Sequence, residues 1–226
     1  YKNGHRLDLP AVAERVHKIG ALFVVDDYQG CGSRRMDVKA ADIDILVTGT
    51  VKYLLASPGI ALMYVREELI EQLHPAITGW FAQADPNAFQ IHEHQEAPDA
   101  TRFQSGTPAL SPVYDAIAGL DLIKSVGIDK IEIWIDYLTA TLIERLHAAG
   151  FATATPLDPA RRGAQVAIRA KDAVKAVDEL SRRNITATTR DNNVRTAWHF
   201  YNTLDDIDAL LNALEEIRPL MLKARN

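Results

Sequence analysis

Three short apolar runs constrain this chain more than any other feature: Ala21-Leu-Phe-Val-Val25, Ile43-Asp-Ile-Leu-Val-Thr48 and Ile60-Ala-Leu-Met-Tyr-Val65. All fall far below the roughly 20 apolar residues that a membrane-spanning helix needs. They are also too continuous for a strand with one wet face, which would alternate. A continuous run that ends in acids, as the first does at Asp26, reads as a strand buried on both faces. A helical stripe precedes it, with Asp8 as N-cap, Leu9, Val12, Val16 and Ile19 on one side and Gly20 as the stop. Helix, buried strand and short connections, repeated, predict an α/β fold and one half of a larger sheet.

Residues 67–109 break this pattern, with Pro75, Gly79, Pro86, Pro98, Gly106 and Pro108 among mixed polar and aromatic residues. Such a long, mostly irregular connection is expected to be functional. From Ser111 the helical period returns, through Gly127 and then Ile131 to Gly150. The tail reads strand 165–169, helix 172–183, strand 185–189, strand 194–200 and helix 204–217, a small α+β unit. A domain boundary is therefore placed between 109 and 110, giving domains 1–109 and 110–226. No repeat or low-complexity tract is present.

Charge and cysteine content narrow the function. The 226 residues carry 25 Lys+Arg against 30 Asp+Glu, a formal net charge of −5, with no basic block. Nucleic acid and anionic membranes are poor partners for such a surface. The single cysteine, Cys31, excludes an internal disulfide and a cysteine-based metal cluster, and fits a reducing cytoplasm. His92-Glu-His94 reads as a solvated surface segment, so no metal site is expected.

The sharpest constellation is Asp26 at the end of the first strand, Gln29 three residues on, and Lys52 just after the second strand. In an open α/β sheet, ligands gather at the carboxyl ends of the strands, which would put acid and amine in one crevice. A carboxylate and a lysine so placed suit pyridoxal 5'-phosphate. The acid keeps the pyridine nitrogen protonated, and the amine holds the aldehyde as a Schiff base. On spacing alone the pair is weak, because a strand-end Asp is common and Lys52 could be a solvated loop residue.

The surrounding residues carry a more specific resemblance. Val25-Asp-Asp-Tyr-Gln-Gly-Cys-Gly32, Met36-Asp-Val38 and the stretch from Asp44 through Lys52 to Val65 resemble the class V aminotransferases, a family of fold-type I pyridoxal-phosphate enzymes. The likeness continues through Gly79-Trp-Phe81, Arg102-Phe-Gln-Ser-Gly-Thr-Pro108 and Arg195-Thr-Ala-Trp-His-Phe-Tyr-Asn-Thr203. It implies the C-terminal part of a fold-type I enzyme, a partial large α/β domain followed by a small α+β domain. It also implies roles. Asp26 would pair with the ring nitrogen and Gln29 with the ring hydroxyl. Lys52 would form the internal aldimine and shuttle the proton at the substrate's α-carbon. Thr107 would reach the phosphate of a neighbouring subunit, Trp80 would touch the phosphate as in kynureninases, and Arg195 would grip the substrate carboxylate. The planar fork of an arginine suits that last task. Each role has a structural alternative: a loop bond for Gln29, packing for Trp80, a turn for Thr107 and a pairing of Arg195 with Asp191.

Departures from the family pattern matter equally. Val51 stands before the lysine, where His or Tyr is usual, so phosphate contacts must come from elsewhere, Thr50 or Thr48. No cysteine occurs in Thr189-Arg-Asp-Asn-Asn-Val-Arg195, where desulfurases keep their nucleophile, and Cys31 reads as a small buried filler. The family's upstream phosphate loop and ring-stacking residue have no counterpart, so a longer chain or a second polypeptide is expected to supply them. The resulting expectation is a cytoplasmic, homodimeric enzyme with shared active sites, acting on an α-amino acid, with the aminotransferase reading first. A C–S lyase or kynureninase-like hydrolase, and a truncated non-catalytic scaffold, are the alternatives.

Overall fold

The computed structural model describes residues 1–224; the last two residues of the 110–226 domain lie outside them. The chain divides into two compact units. One comprises residues 9–31 and 36–123, and the other comprises residues 1–8, 32–35 and 124 onward.

The first unit opens with α1 (Leu9–His17), which buries Ala13 and ends at Gly20, whose φ of +71° only glycine adopts without strain. Strand β1 (Val24–Asp26) lies parallel to β2 (Ile45–Gly49), with Val24 opposite Ile45 and Asp26 opposite Val47. Strand β3 (Ala61–Val65) lies antiparallel on the far side of β2, so the order is β1-β2-β3. Alternate residues of a strand face opposite sides. Phe23, Val25 and Leu46 therefore meet Ala13, Ala41 and Ile43 in a core that Leu9, Val12 and Val16 of α1 close.

The expectation that the first run is buried on both faces needs correcting. Val24 is 56% exposed and Asp26 is exposed, as are Leu62 and Met63 of β3. β1 is an edge strand, and only the face toward α1 is covered among the described residues. A short α2 (Glu67–Ile70) leads into residues 71–109, which form single turns of 3-10 helix at Trp80–Ala82, Pro86–Ala88 and Ala100–Phe103. Buried Arg102 holds this segment together, donating to the Ala97 and Ile70 carbonyls at 2.8 and 2.6 Å. The long helix α3 (Leu110–Val126) follows and approaches the loop after β2 through Gly119, where a methyl group would lie 2.3 Å from the Leu54 carbonyl oxygen.

The second unit is built on α4 (Ile128–Ala148), β4 (Gln165–Arg169), α5 (Ala173–Ser181), β5 (Thr188–Arg190), β6 (Asn193–Ala197) and α6 (Leu204–Glu216). Its antiparallel sheet runs β4-β6-β5. Leu138, Leu142 and Leu146 of α4 pack with Val166, Ile168, Leu180, Val194, Ile207 and Leu214. The strand expected over 194–200 stops at Ala197. Beyond it the chain turns, and the His199 amide donates to Asn202 Oδ1 at 2.9 Å. α6 then starts on a reciprocal cap between Thr203 and Asp206.

Four charges tie α1 to the sheet. His17 sits 2.7 Å from Asp44 and 3.1 Å from Asp42, and Arg66 reaches the same two carboxylates. The Asp44 hydrogen bond raises His17 above its ordinary 6.5. Burial works against the Asp44 charge, but the Phe23 amide, His17 and Arg66 outweigh it and hold that carboxyl below 3.8. Arg66 likewise lowers Asp42. His17 thus stabilises the fold below its unfolded pKa of about 6.5, and that contribution is lost as pH rises through the raised folded value. The carboxylates contribute above about 3.8 and lose it as pH falls through their lowered values. The urea midpoint of this unit is expected to fall between about pH 6 and about pH 9, and His17→Gln should flatten that limb. An unchanged slope in the variant would assign the pH dependence to other groups.

Candidate functional site

The parallel pairing of β1 and β2 brings Asp26 and the turn that carries Lys52 to the carboxyl ends of neighbouring strands. Asp26 is exposed, and its Oδ1 accepts from the Tyr28 amide at 3.0 Å, which bends the chain out of the strand. Gln29 follows on that bend and is half-buried. After β2 the chain turns at once, with the Leu55 amide bonded to the Lys52 carbonyl at 3.0 Å and the Ala56 amide to the Thr50 carbonyl at 3.0 Å. Leu55 takes a φ of +60° to close this turn. Lys52 is exposed at its crest, and its Nζ lies over the Tyr28 ring, 4.4 Å from the centroid.

Tyr28 is the residue the sequence pattern left out. The phenol end of its ring lies against Gly49, where a methyl group would fall 1.9 Å from the phenol oxygen. The available signal was a glycine inside Thr48-Gly-Thr50, directly before the lysine turn, since a strand glycine often marks close approach by another group.

Thr50 is fully buried, and its hydroxyl donates to the Ile60 carbonyl at 3.1 Å. Thr48 is also buried, with Oγ1 3.4 Å from the Asp27 carbonyl. The Cys31 thiol donates to Asp27 Oδ2 at 3.1 Å. Burial first, and then the Asp27 charge, push its pKa up to about 12, which leaves it protonated at neutral pH and a poor nucleophile.

Trp80 and Gly106 meet within the same unit. Gly79 lies so close to Ser105 that a methyl group there would stand 1.5 Å from the Ser105 carbonyl oxygen, and Trp80 Nε1 sits 3.8 Å from the corresponding position on Gly106. The Trp80 ring also packs on Phe81 and stacks near Phe89, at 4.2 and 6.3 Å between centroids. Thr107 is exposed. Arg195 belongs to the other unit. It lies on β6, with Nε donating to Thr188 Oγ1 at 3.1 Å and Nη1 to the Tyr1 carbonyl at 2.6 Å. Asp191, its expected structural partner, instead pairs with Lys2 at 3.0 Å. Among the described residues no group of three or more His, Cys, Asp or Glu could hold a metal ion, and no helix is long and apolar enough to cross a membrane.

The donor set fits pyridoxal phosphate in part. An acid, an amide and an amine share the carboxyl end of one small sheet, as a pyridine nitrogen, a ring hydroxyl and an aldehyde require. Thr50 fits least, because its hydroxyl proton is already given to Ile60.

The chain resembles known proteins along most of its length. The aminotransferase class-V model matches residues 2–210. An uncharacterized aminotransferase of Bacillus subtilis is 35% identical over 217 residues, covering 96% of this chain and 56% of that protein. A kynureninase of Bacillus mycoides is 27% identical over 225 residues, covering 96% of this chain and 52% of its own. The apo structure of a cysteine desulfurase from Thermococcus onnurineus superposes with a TM-score of 0.85 at 22% identity, over 95% of this chain and 56% of that one. The chain thus spans about half the length of the curated relatives it matches.

The state of Cys31 gives a direct test. Its alkylation by iodoacetamide at about pH 8 should run on the order of 100- to 1,000-fold slower in the folded protein than in urea. Equal rates would mean that the Asp27 bond and burial do not hold the thiol.

Proposed function

The chain belongs to the aminotransferase class-V family, and from that membership we propose that it is the C-terminal part of a pyridoxal-phosphate-dependent aminotransferase acting on an α-amino acid. Its fold over this span is that of the fold-type I enzymes. The observation that carries the proposal is the register of β1 on β2, which sets Asp26 and the Lys52 turn at the same end of neighbouring parallel strands.

In this reading the bound cofactor supplies an electron sink for the bond broken at the substrate's α-carbon. The chain's own residues do the rest. Asp26 would hold a proton on the pyridine nitrogen, and Gln29 would bond the ring hydroxyl. Lys52 would hold the aldehyde through its amine and would move the proton at the substrate's α-carbon. Trp80 and Thr107 serve the phosphate, Thr107 from a neighbouring subunit, and Thr50 joins them only by giving up Ile60. Arg195 offers its planar fork to the substrate carboxylate, exchanging part of its bonding to Thr188 and Tyr1.

The same proposal includes a cytoplasmic homodimer, a large-domain half over 1–109 and a small domain over 110–226. The exposed apolar side chains Ile77, Phe89, Ile91 and Tyr114, at 71–90% exposed, support burial against another subunit. A kynureninase-like hydrolase is the second reading, favoured by Gly79-Trp80 and by the kynureninase relatives. The protonated Cys31 weighs against a persulfide route through that thiol.

The test is the mass and absorbance of the purified protein before and after borohydride. Reduction should fix one cofactor on Lys52, and Lys52→Ala should retain none and lose turnover. Arg195→Ala should raise KM for the amino acid roughly 10- to 100-fold, the worth of a lost charged hydrogen bond. A colourless protein that takes up no added cofactor would favour the non-catalytic scaffold.

A further inference from the structure

We propose that Tyr28 is a positioning residue for Lys52: its ring is a seat on which the lysine amine rests when no cofactor holds it. The inference deepens the reading above and rests on it for its relevance to catalysis, although the geometry stands independently. Three observations converge. The Asp26 carboxylate fixes the Tyr28 backbone at 3.0 Å, so the residue that would serve the pyridine nitrogen also sets where the ring leaves the chain. Gly49 leaves room for the ring at the end of β2, since a methyl group would collide with it at 1.9 Å from the phenol oxygen. The Lys52 ammonium then lies 4.4 Å from the ring centroid, inside the range of a cation–π contact.

The choice of an aromatic face has a chemical reason. A carboxylate in the place of the ring would bind the ammonium strongly and favour the protonated, non-nucleophilic form. A π face also attracts the ammonium rather than the neutral amine, through its quadrupole, but more weakly than a carboxylate does, so it favours the protonated form only a few-fold. It gives the amine a place and a direction at a small cost in nucleophilicity, which loss of the ring would lift. The lysine turn itself is fixed by the Thr50–Ala56 and Lys52–Leu55 backbone bonds, and α3 backs it at Gly119, so the side chain swings from a rigid base onto the ring.

The experiment reads the free amine and needs no turnover. Any bound cofactor is stripped from the purified protein with hydroxylamine. Lys52 is then reductively methylated with formaldehyde and cyanoborohydride near neutral pH, with the other lysines as internal references. Tyr28→Leu, which keeps apolar bulk but loses the π face, should label Lys52 about two- to five-fold faster than the parent. Tyr28→Phe should label at the parent rate. Gly49→Ala, which pushes the ring aside with Tyr28 still present, should behave like Tyr28→Leu and keeps the test decisive if the leucine variant folds poorly. Parent-like labelling in both Tyr28→Leu and Gly49→Ala would overturn the inference, as would a phenylalanine variant that labels like leucine. Uptake of pyridoxal phosphate by the parent protein is scored separately. A parent that takes up no cofactor sinks the functional reading and leaves the seat to be decided by labelling. A parent that takes it up while the variants label alike does the reverse.

Discussion

Asp44 grips the start of β1 from inside the sheet. Its carboxylate accepts the Phe23 amide at 2.7 Å, while the Phe23 carbonyl accepts the Asp44 and Ile45 amides at 3.2 Å each. That clasp sets the register of β1 on β2, and everything at the other end of the strands inherits it. A slip of one residue would turn each side chain to the opposite face. Asp26 would then leave the side it shares with Val24, and the bend that presents Tyr28 and Gln29 would start from the wrong face. His17 and Arg66 neutralise and orient the same carboxylate, so an ion cluster at one end of the strands indirectly holds the candidate site at the other.

Close approach of backbone to neighbour is the second recurring device. Gly49 admits the Tyr28 ring, Gly79 admits the Ser105–Gly106 backbone, and Gly119 admits the loop that follows Lys52. None of the three has a positive φ, so their role is the absence of a side chain, which packing at ordinary density then fills from the other side. Each lies beside a residue assigned a role: Lys52, Trp80 with Thr107, and again the turn of Lys52.

Much of this was legible in the sequence, because periodicity and punctuation report local structure well. The apolar runs marked β1, β2 and β3, and the helical stripes marked α1 and α3 to α6, to within a few residues. Asp26 and Lys52 could be paired because strand ends in α/β sheets share one rim. Burial was harder to read. A run such as Ala21–Val25 records what a strand can tolerate on both faces, whereas the exposure of Val24 depends on which layers cover it, and that is long-range information. The hydroxyl of Thr50 reads as available for a phosphate in the sequence, whereas in the fold it is given to the Ile60 carbonyl. Tyr28 was hidden for a similar reason: its partner across the sheet is a glycine, and a missing side chain leaves no hydrophobic signal. The 71–109 segment gave no period because its order comes from one buried arginine and single turns rather than from regular elements.

The chain passes between its two compact units at several points: residues 1–8 and 32–35 belong with the second, while the residues on either side of 32–35 belong with the first. Arg34, inside the short visit, is buried and bonds Glu132 and Asp136 of α4 and the Arg162 carbonyl. Neither unit is therefore a contiguous stretch of gene. A truncation that keeps only the C-terminal half would strand two carboxylates without their arginine. Swapping one unit between homologous proteins by a single crossover would likewise exchange Arg34 without its acids, or the acids without Arg34. Recombination within this region is thus confined to exchanges that carry both the 32–35 segment and α4 from the same parent.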